Sequence, residues 1–230
     1  MAPSRLSRPG WKILGGVALV VIVAVVVPPL AARIDFFRIR AVEIRGARNL
    51  RPEELVRALP IRTGQSLFDD LSRVRAAADS IQGLISVRVG RRPPATIVVT
   101  IREAEPIAYV MRGGTLRMLG EQGEVLGFDP TVAAPDLPLV READSLVTRF
   151  LARVRETDAG FFARIVSGWR VGDDIVVTVD RQRYWFRRDA GAEVIRSVMA
   201  VEQDLENSGP PWAELDARFA DQIVVRSEAG

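Results

Sequence analysis

The sequence predicts an α+β protein: an N-terminal transmembrane helix, a β-α-α-β-β unit, then a larger antiparallel-sheet domain with flanking helices. Three observations carry this. Residues 13–32, ILGGVALVVIVAVVVPPLAA, hold no charge. The next 70 or so residues switch between helical and period-2 apolar patterns in the order strand, helix, helix, strand, strand. Beyond them, short alternating runs are separated by Gly- and Asp-containing turns and accompanied by two amphipathic stretches.

The apolar run is about 20 residues, the length that crosses the roughly 30 Å hydrocarbon core of a bilayer. Its body is Ile13, Leu14, Val17, Leu19, Val20, Val21, Ile22, Val23, Val25, Val26 and Val27, and Pro28-Pro29 stop or kink it near its outer end. Arg5, Arg8 and Lys12 precede it with no acid among them, so the tail is expected to stay cytoplasmic and the rest of the chain to lie outside. Trp11 suits the inner interface. A cleaved signal would have a shorter apolar region and a small-x-small site. Leu30-Ala31-Ala32 puts Leu where a small residue is wanted, so the run reads as a retained anchor.

The chain has no cysteine and no histidine. Disulfides, Cys/His zinc sites, Cys nucleophiles and Ser-His-Asp triads are thereby excluded. Net charge is +3, Lys12 is the single lysine, and the arginines are interspersed with Asp and Glu. No basic block forms, which argues against nucleic-acid binding.

After the anchor, Val42 and Ile44 alternate with charged neighbours in a strand over residues 39–45, and Gly46 opens a turn. Pro52, Glu53 and Glu54 then start a helix, with Pro near N1 and carboxylates in the first turn. Leu55 and Leu59 share its apolar side and Pro60 closes it. Residues 61–70 form a loop. Leu71, Val74, Ala78 and Ile81 predict a second helix over 71–82, ended by Gly83. Ile85, Val87 and Val89 mark one strand; Ile97, Val99 and Ile101 mark the next. Residues 91–94, Arg-Arg-Pro-Pro, read as the turn between them. Two helices would cover one face of a three-stranded sheet.

This order, the run from VEIRGARNL through SVRVGRRPPATIVVTIREAEPIAYV, and the place next to a single anchor resemble the POTRA domain of the FtsQ/DivIB cell-division proteins. The phrase V-x-R…P-x-T-I-x-V-x-x-x-E-x-x-P-x-A is the most specific part. It is matched by Val87, Val89, Pro94, Thr96, Ile97, Val99, Glu103, Pro106 and Ala108. Gly90 intervenes before Arg91, and Ala104 stands where many members carry Arg.

In the second half, residues 116–118 and 124–126 flank Gly120-Glu-Gln-Gly123 as a hairpin, and PDLPLV over 135–140 resembles the segment that follows it in the family. Asp144 is placed to cap a helix over 146–156 with Leu146, Phe150, Leu151 and Val154 inward. Strands are expected over 164–171, 175–179 and 184–187, with Asp173-Asp174 as a turn. A helix over 192–205 has Val194, Ile195, Val198, Val201 and Leu205 on its apolar side. Pro210-Pro211 breaks the chain, and 214–226, ELDARFADQIVVR, resembles the family's closing strand. The expected division is a cytoplasmic tail 1–12, the span 13–32, a POTRA domain 36–107, a β domain 108–226 and a tail 227–230.

Candidate chemistry is confined to carboxylate pairs. Asp69-Asp70 suits a helix start, Asp173-Asp174 a turn, and Glu103 with Glu105 a solvated strand end. Gly113-Gly114 is a turn, since no Lys-Ser/Thr follows. Trp169, Trp185 and Trp212 read as core. No active site, metal site or cofactor site emerges, and no small-molecule substrate is implied. Recognition through an exposed sheet edge is the remaining option. Its candidates are Phe219, Gln222, Ile223, Val224, Val225 and Arg226. The resemblance implies a bitopic scaffold of the divisome in the cell inner membrane at the septum. This strand and the helix before it would dock FtsB/FtsL-like partners there, without turnover. The alternatives are a POTRA-containing outer-membrane assembly or transport accessory, which would need a C-terminal barrel, and an extracytoplasmic carboxylate enzyme.

Overall fold

A computed structural model describes residue 21 and residues 35–131, 135–208 and 211–227. The expected span 13–32, Val21 apart, lies outside the described residues. Among the described residues, no helix is long and apolar enough to cross a membrane. The chain forms two compact units. Of the described residues, the first takes those up to Ala47, Pro52–Ser80 and Ser86–Ile101; the second takes Arg48–Arg51, Ile81–Ile85 and those from Arg102.

In the first unit a 3-10 turn at Asp35–Phe37 leads into β1 (Ala41–Arg45). Helices α1 (Pro52–Ala58) and α2 (Ser72–Asp79) follow, then β2 (Leu84–Arg92) and β3 (Thr96–Glu103). The strand order is β1-β3-β2, with β1 parallel to β3. Period 2 sends Ile97, Val99 and Ile101 of β3 into the core. Leu55, Leu59, Leu71, Val74 and Ala78 are buried on the helical side, as their spacing predicts. Gly46 is required: at φ +89 an added Cβ would lie 2.2 Å from the Ile101 carbonyl oxygen. Two expectations fail in detail. Ile85 is 57% exposed, because the buried positions of β2 begin nearer its C-terminal half. Arg91 and Arg92 stay in the strand, so the turn is confined to residues 93–95 and includes a cis Pro93-Pro94 bond.

The second unit holds β4 (Ala108–Arg112), β5 (Thr115–Leu119), β6 (Val125–Leu126), β7 (Leu139–Val140), β8 (Ile165–Val171), β9 (Asp174–Val179), β10 (Gln182–Arg187), β11 (Glu214–Asp216) and β12 (Val224–Arg226). Its helices are α3 (Ser145–Thr157), α4 (Ala159–Arg164) and α5 (Ala192–Ser208). All nine strands form one sheet in the order β12-β11-β10-β9-β8-β7-β4-β5-β6. The expected antiparallel sheet is in fact mixed: β4–β7, β7–β8 and β10–β11 are parallel. Helices and loops intervene between those partners, and that leaves room for the crossovers parallel pairing needs.

One face of the sheet packs against the helices. Val147, Phe150, Leu151 and Val154 of α3, Phe161 and Phe162 of α4, and Ile195 and Val198 of α5 bury with Ile175, Val177, Tyr184, Phe186 and Leu215. Asp144 caps α3 by accepting from Leu146 N–H at 2.8 Å, as expected. Gly113 and Gly114 both take positive φ in the two-residue link between β4 and β5, the backbone a tight hairpin demands. Helix α4 was not anticipated. Nor was the split of 214–226 into two strands, with a turn that holds Asp221 at φ +60 between them.

Candidate sheet-edge site at the C-terminal end

The C-terminal stretch brings the six candidate residues to one end of the nine-stranded sheet, where β12 is the terminal strand. Its register on β11 is antiparallel: Glu214↔Arg226, Leu215↔Val225, Asp216↔Val224. The direction of each peptide group follows from the other neighbour. Arg183 N–H donates to the Ala213 carbonyl, and Ala217 N–H donates to the Trp185 carbonyl, both at 2.9 Å. The Ala213 carbonyl, the backbone groups of Leu215 and the Ala217 N–H therefore face β10, while the Ala213 N–H donates to the Arg226 carbonyl of β12 at 2.8 Å. Alternation turns those of Glu214 and Asp216 toward β12. Their partners Arg226 and Val224 face back at them, and the N–H and C=O of Val225 point outward, away from the sheet. Among the described residues no strand lies beyond β12, so this is a row that a further strand can satisfy.

Side chains alternate as well. Val225 shares the face of buried Leu215, on the helical side of the sheet. A groove of about 420 Å³ is lined by Val194, Ser197 and Val201 of α5 and by Phe219, Gln222 and Ile223 ahead of β12. Phe219 is exposed and Ile223 packs partly against the core. The helix named from the sequence and three of the candidates, Phe219, Gln222 and Ile223, thus line one groove, and Val224, Val225 and Arg226 do not.

The opposite face of the edge is an ion-pair network. Arg226 bonds Glu214 at 2.5 Å and reaches Asp216 at 3.4 Å. Arg218 grips Asp216 at 2.6 Å and Asp174 at 3.0 Å, and Arg183 reaches Glu214 at 3.3 Å. The bonds from Arg218, with the nearby charge of Arg226, hold the Asp216 carboxyl below the usual carboxylate range against the opposing effect of burial. The Arg218 guanidinium lies 4.4 Å from the Trp185 ring centre, and Arg141 lies 4.0 Å from Trp169. Trp169 and Trp185 both pair with Val176, so they stand on one face, across β8-β9-β10. They are half-buried under arginines, whereas Trp212 is buried in the core, where its ring meets Tyr184.

The carboxylate pairs are engaged in structure. Glu103 is not solvated: it accepts from the backbone N–H of Arg48, Asn49 and Leu50 at 2.8–3.1 Å, and from Asn49 Nδ2 at 2.9 Å. Glu105 is separate, at 3.2 Å from Arg155. Asp70 accepts from the Ser72 hydroxyl at 2.5 Å and from the Ser72 N–H at 2.9 Å just ahead of α2, and these bonds, the hydroxyl's first, lower its pKa. Asp173 sits in the turn, but Asp174 is the first residue of β9 and pairs with Arg218. The sequence reading missed Glu202, a buried residue of α5. It takes two bonds from Arg164, at 3.0 and 2.8 Å, and one from the Tyr184 hydroxyl. Burial, helped by that bond, pushes the Tyr184 phenol far up. The Tyr184/Glu202 pairing carried no local signal, since the partners lie on different elements. Among the described residues, no group of acidic side chains is arranged to hold a metal.

Comparison with known proteins fits this architecture. The family described as "POTRA domain, FtsQ-type" matches residues 37–104. The chain is 23% identical over 227 residues to the cell division protein FtsQ of Alcanivorax borkumensis, covering 94% of this chain and 85% of that protein. It is 26% identical over 197 residues to FtsQ of Chloroflexus aurantiacus, covering 79% and 71%. To FtsQ of an Anaeromyxobacter species it is 30% identical over 107 residues, covering 46% and 36%. A solved structure of the major extracytoplasmic domain of DivIB from Geobacillus stearothermophilus is 22% identical and aligns with 46% of this chain and 97% of that one. The TM-score is 0.34. The chain thus carries an FtsQ-type POTRA domain and is similar along nearly its whole length to cell division proteins of the FtsQ/DivIB kind.

Proposed function

We propose that this protein is a bitopic scaffold of the divisome, anchored by residues 13–32 in the cell inner membrane with residues 1–12 in the cytoplasm. The POTRA domain, 36–107, and the β domain, 108–226, lie outside, ahead of a short tail at 227–230, and position partner division proteins at the septum. The mechanism is binding without turnover. FtsB/FtsL-like partners add a strand along β12 and lay side chains into the groove beside α5. The observation that supports this reading is the free outward edge of β12, with the Val225 peptide groups turned away from the sheet.

The test is retention of an FtsB/FtsL-like partner by the full-length chain bearing Val225→Pro, with Val225→Ala beside it. Proline removes the outward N–H and blocks close approach of a strand, while the inward bonds of Val224 and Arg226 stay available. Loss of one or two edge hydrogen bonds, at about 0.5–1.5 kcal/mol each, predicts roughly a tenfold weaker complex for Pro. Alanine keeps the backbone edge and changes affinity little. Equal retention by the Pro variant, folded by circular dichroism, would refute strand addition. A uniform envelope signal from a fluorescent fusion would count against the divisome reading itself.

A further inference from the structure

The membrane-proximal end of the first unit carries an aromatic cluster that its own core does not absorb. Phe36 in the 3-10 turn is 57% exposed, and Phe68 in the 61–70 loop is 41% exposed. Half-buried Phe37 packs between them, with ring centres 5.2 Å from Phe36 and 5.4 Å from Phe68.

The cluster is held rigidly. Leu67 N–H donates to the Phe37 carbonyl and Ile39 N–H to the Gln65 carbonyl, each at 2.8 Å; Gly64 N–H donates to the Ile39 carbonyl at 2.9 Å. Arg91 braces the loop from beneath through the Leu67 and Asp69 carbonyls, both at 2.7 Å. Arginines rim the cluster. Arg40 bonds the Phe36 carbonyl at 3.0 Å, Arg38 bonds the Gly64 carbonyl at 2.8 Å, and both remain exposed. Asp35, Asp69 and Asp70 are the acids in the same region. Asp35 pairs with Arg38, and Asp70 is occupied by Ser72.

Where the chain comes from fixes the occupant. Ala32 ends the apolar run, and Phe36 follows four residues later. At no more than about 3.6 Å per residue, Phe36 lies within about 14 Å of the hydrocarbon boundary in any conformation. The headgroup layer on each side is itself roughly 5–8 Å deep. Exposed aromatic side chains flanked by arginine are the pattern of a surface that sits in this layer, rings among the acyl boundary and guanidinium groups at phosphate.

We propose that Phe36, Phe68, Arg38 and Arg40 form a bilayer-facing foot that seats the first unit on the lipid headgroups. This rests on the reading of residues 13–32 as a span. The foot removes the freedom a single tether would leave and presents the unit in one orientation.

The absence of cysteine permits a unique label at any chosen position. Full-length chains bearing Val21→Cys, Thr63→Cys or Arg88→Cys are labelled with a fluorophore. They are reconstituted in phosphatidylethanolamine–phosphatidylglycerol vesicles containing lipids brominated at two depths, at mid-chain to report Val21 and near the headgroup to report Thr63 and Arg88. Quenching is expected at Val21 and at Thr63, beside the cluster, and not at Arg88 on β2. Adding Phe36→Ser and Phe68→Ser to the Thr63 chain abolishes its quenching, whereas Leu at both positions retains it. Quenching at Val21 with a Thr63 signal equal to Arg88 overturns the foot and leaves the span standing. No quenching at Val21 overturns both. A Thr63 label shielded from aqueous iodide but untouched by brominated lipid overturns the foot in favour of a second copy covering the cluster.

Discussion

Replacing Asp216 by Asn tests whether the ion-pair network fastens the last two strands. Asp216 is 0% exposed and accepts from Arg218 Nε at 2.7 Å and from an Arg218 terminal nitrogen at 2.6 Å, with Arg226 at 3.4 Å. Asparagine preserves the shape but puts an amide donor, or a neutral oxygen, against guanidinium donors. Hydrogen bonds to charged groups contribute about 1.5–3 kcal/mol. Arg226 is half in water and Arg218 keeps Asp174, so those contributions are discounted for solvent screening. The expected loss is about 2–3 kcal/mol for the second unit, or a melting temperature lower by about 4–12 °C for a domain of this size. Trp169, Trp185 and Trp212 all lie in that unit, so urea and thermal unfolding followed by tryptophan fluorescence report it.

The pH dependence has a definite sign. The folded pKa of Asp216 is depressed, so its contribution is present above the unfolded value of about 3.9 and is lost as pH falls through the lower folded value. The gap between the wild-type chain and Asp216→Asn is therefore full at pH 7 and closes below the ordinary carboxylate range. A difference under about 0.5 kcal/mol at pH 7 would refute the network's role, since surface substitutions without such features fall in that range. A gap that persists at the lowest pH would show that the Asn variant loses packing and not charge.

Glu103→Gln leaves one good acceptor for three consecutive backbone N–H groups and should destabilise the 48–50 segment by about 2 kcal/mol, read as faster amide exchange at Asn49 and Leu50. Gly46→Ala forces a Cβ against the Ile101 carbonyl at positive φ; a loss of at least about 2 kcal/mol in the first unit is expected, measured by exchange of β1 and β3 amides. Spectrophotometric titration should find neither tyrosine ionising at its ordinary pH while the protein is folded. Tyr184 is raised by burial and Glu202, and Tyr109 by burial and Asp136. Glu202→Gln should cost about 2–3 kcal/mol, because it weakens both Arg164 bonds.

Elements were legible where the signal is local. Pro52 with its two glutamates, Asp144 before α3, the apolar stripe of α5 and the Gly113-Gly114 link each act within a few residues, and the structure has them in those roles. Helix α4 spans only six residues, too short for a period; its one cue was Asp158, which accepts from Phe161 N–H. The role of Glu103 was invisible because its acceptor contacts reach back 53–55 residues. Likewise the half-buried state of Trp169 and Trp185 depends on arginines brought from other elements. For the candidate site, composition pointed to a β-branched terminal strand. That β12 ends the sheet, and that Val225 turns outward, depends on strand order and register, which pairing between distant segments decides.

Arginine ties these observations together. A pI near 10 with a single lysine would suit a polyanion partner if the charge were displayed as a patch. Instead the guanidinium groups are used as fasteners, which suits their planar fork and stacking faces. Arg91 and Arg153 bond carbonyls, Arg141 and Arg218 cover tryptophans, and Arg164 and Arg226 grip carboxylates. The last case bears on the edge. Exposed edge strands are commonly guarded by a charged side chain that repels a second strand. Arg226 stands at that position, but Glu214 and Asp216 draw it onto the outer face of the sheet. The charge that could have guarded the edge instead fastens β12 to β11, and the Val225 peptide is left facing outward.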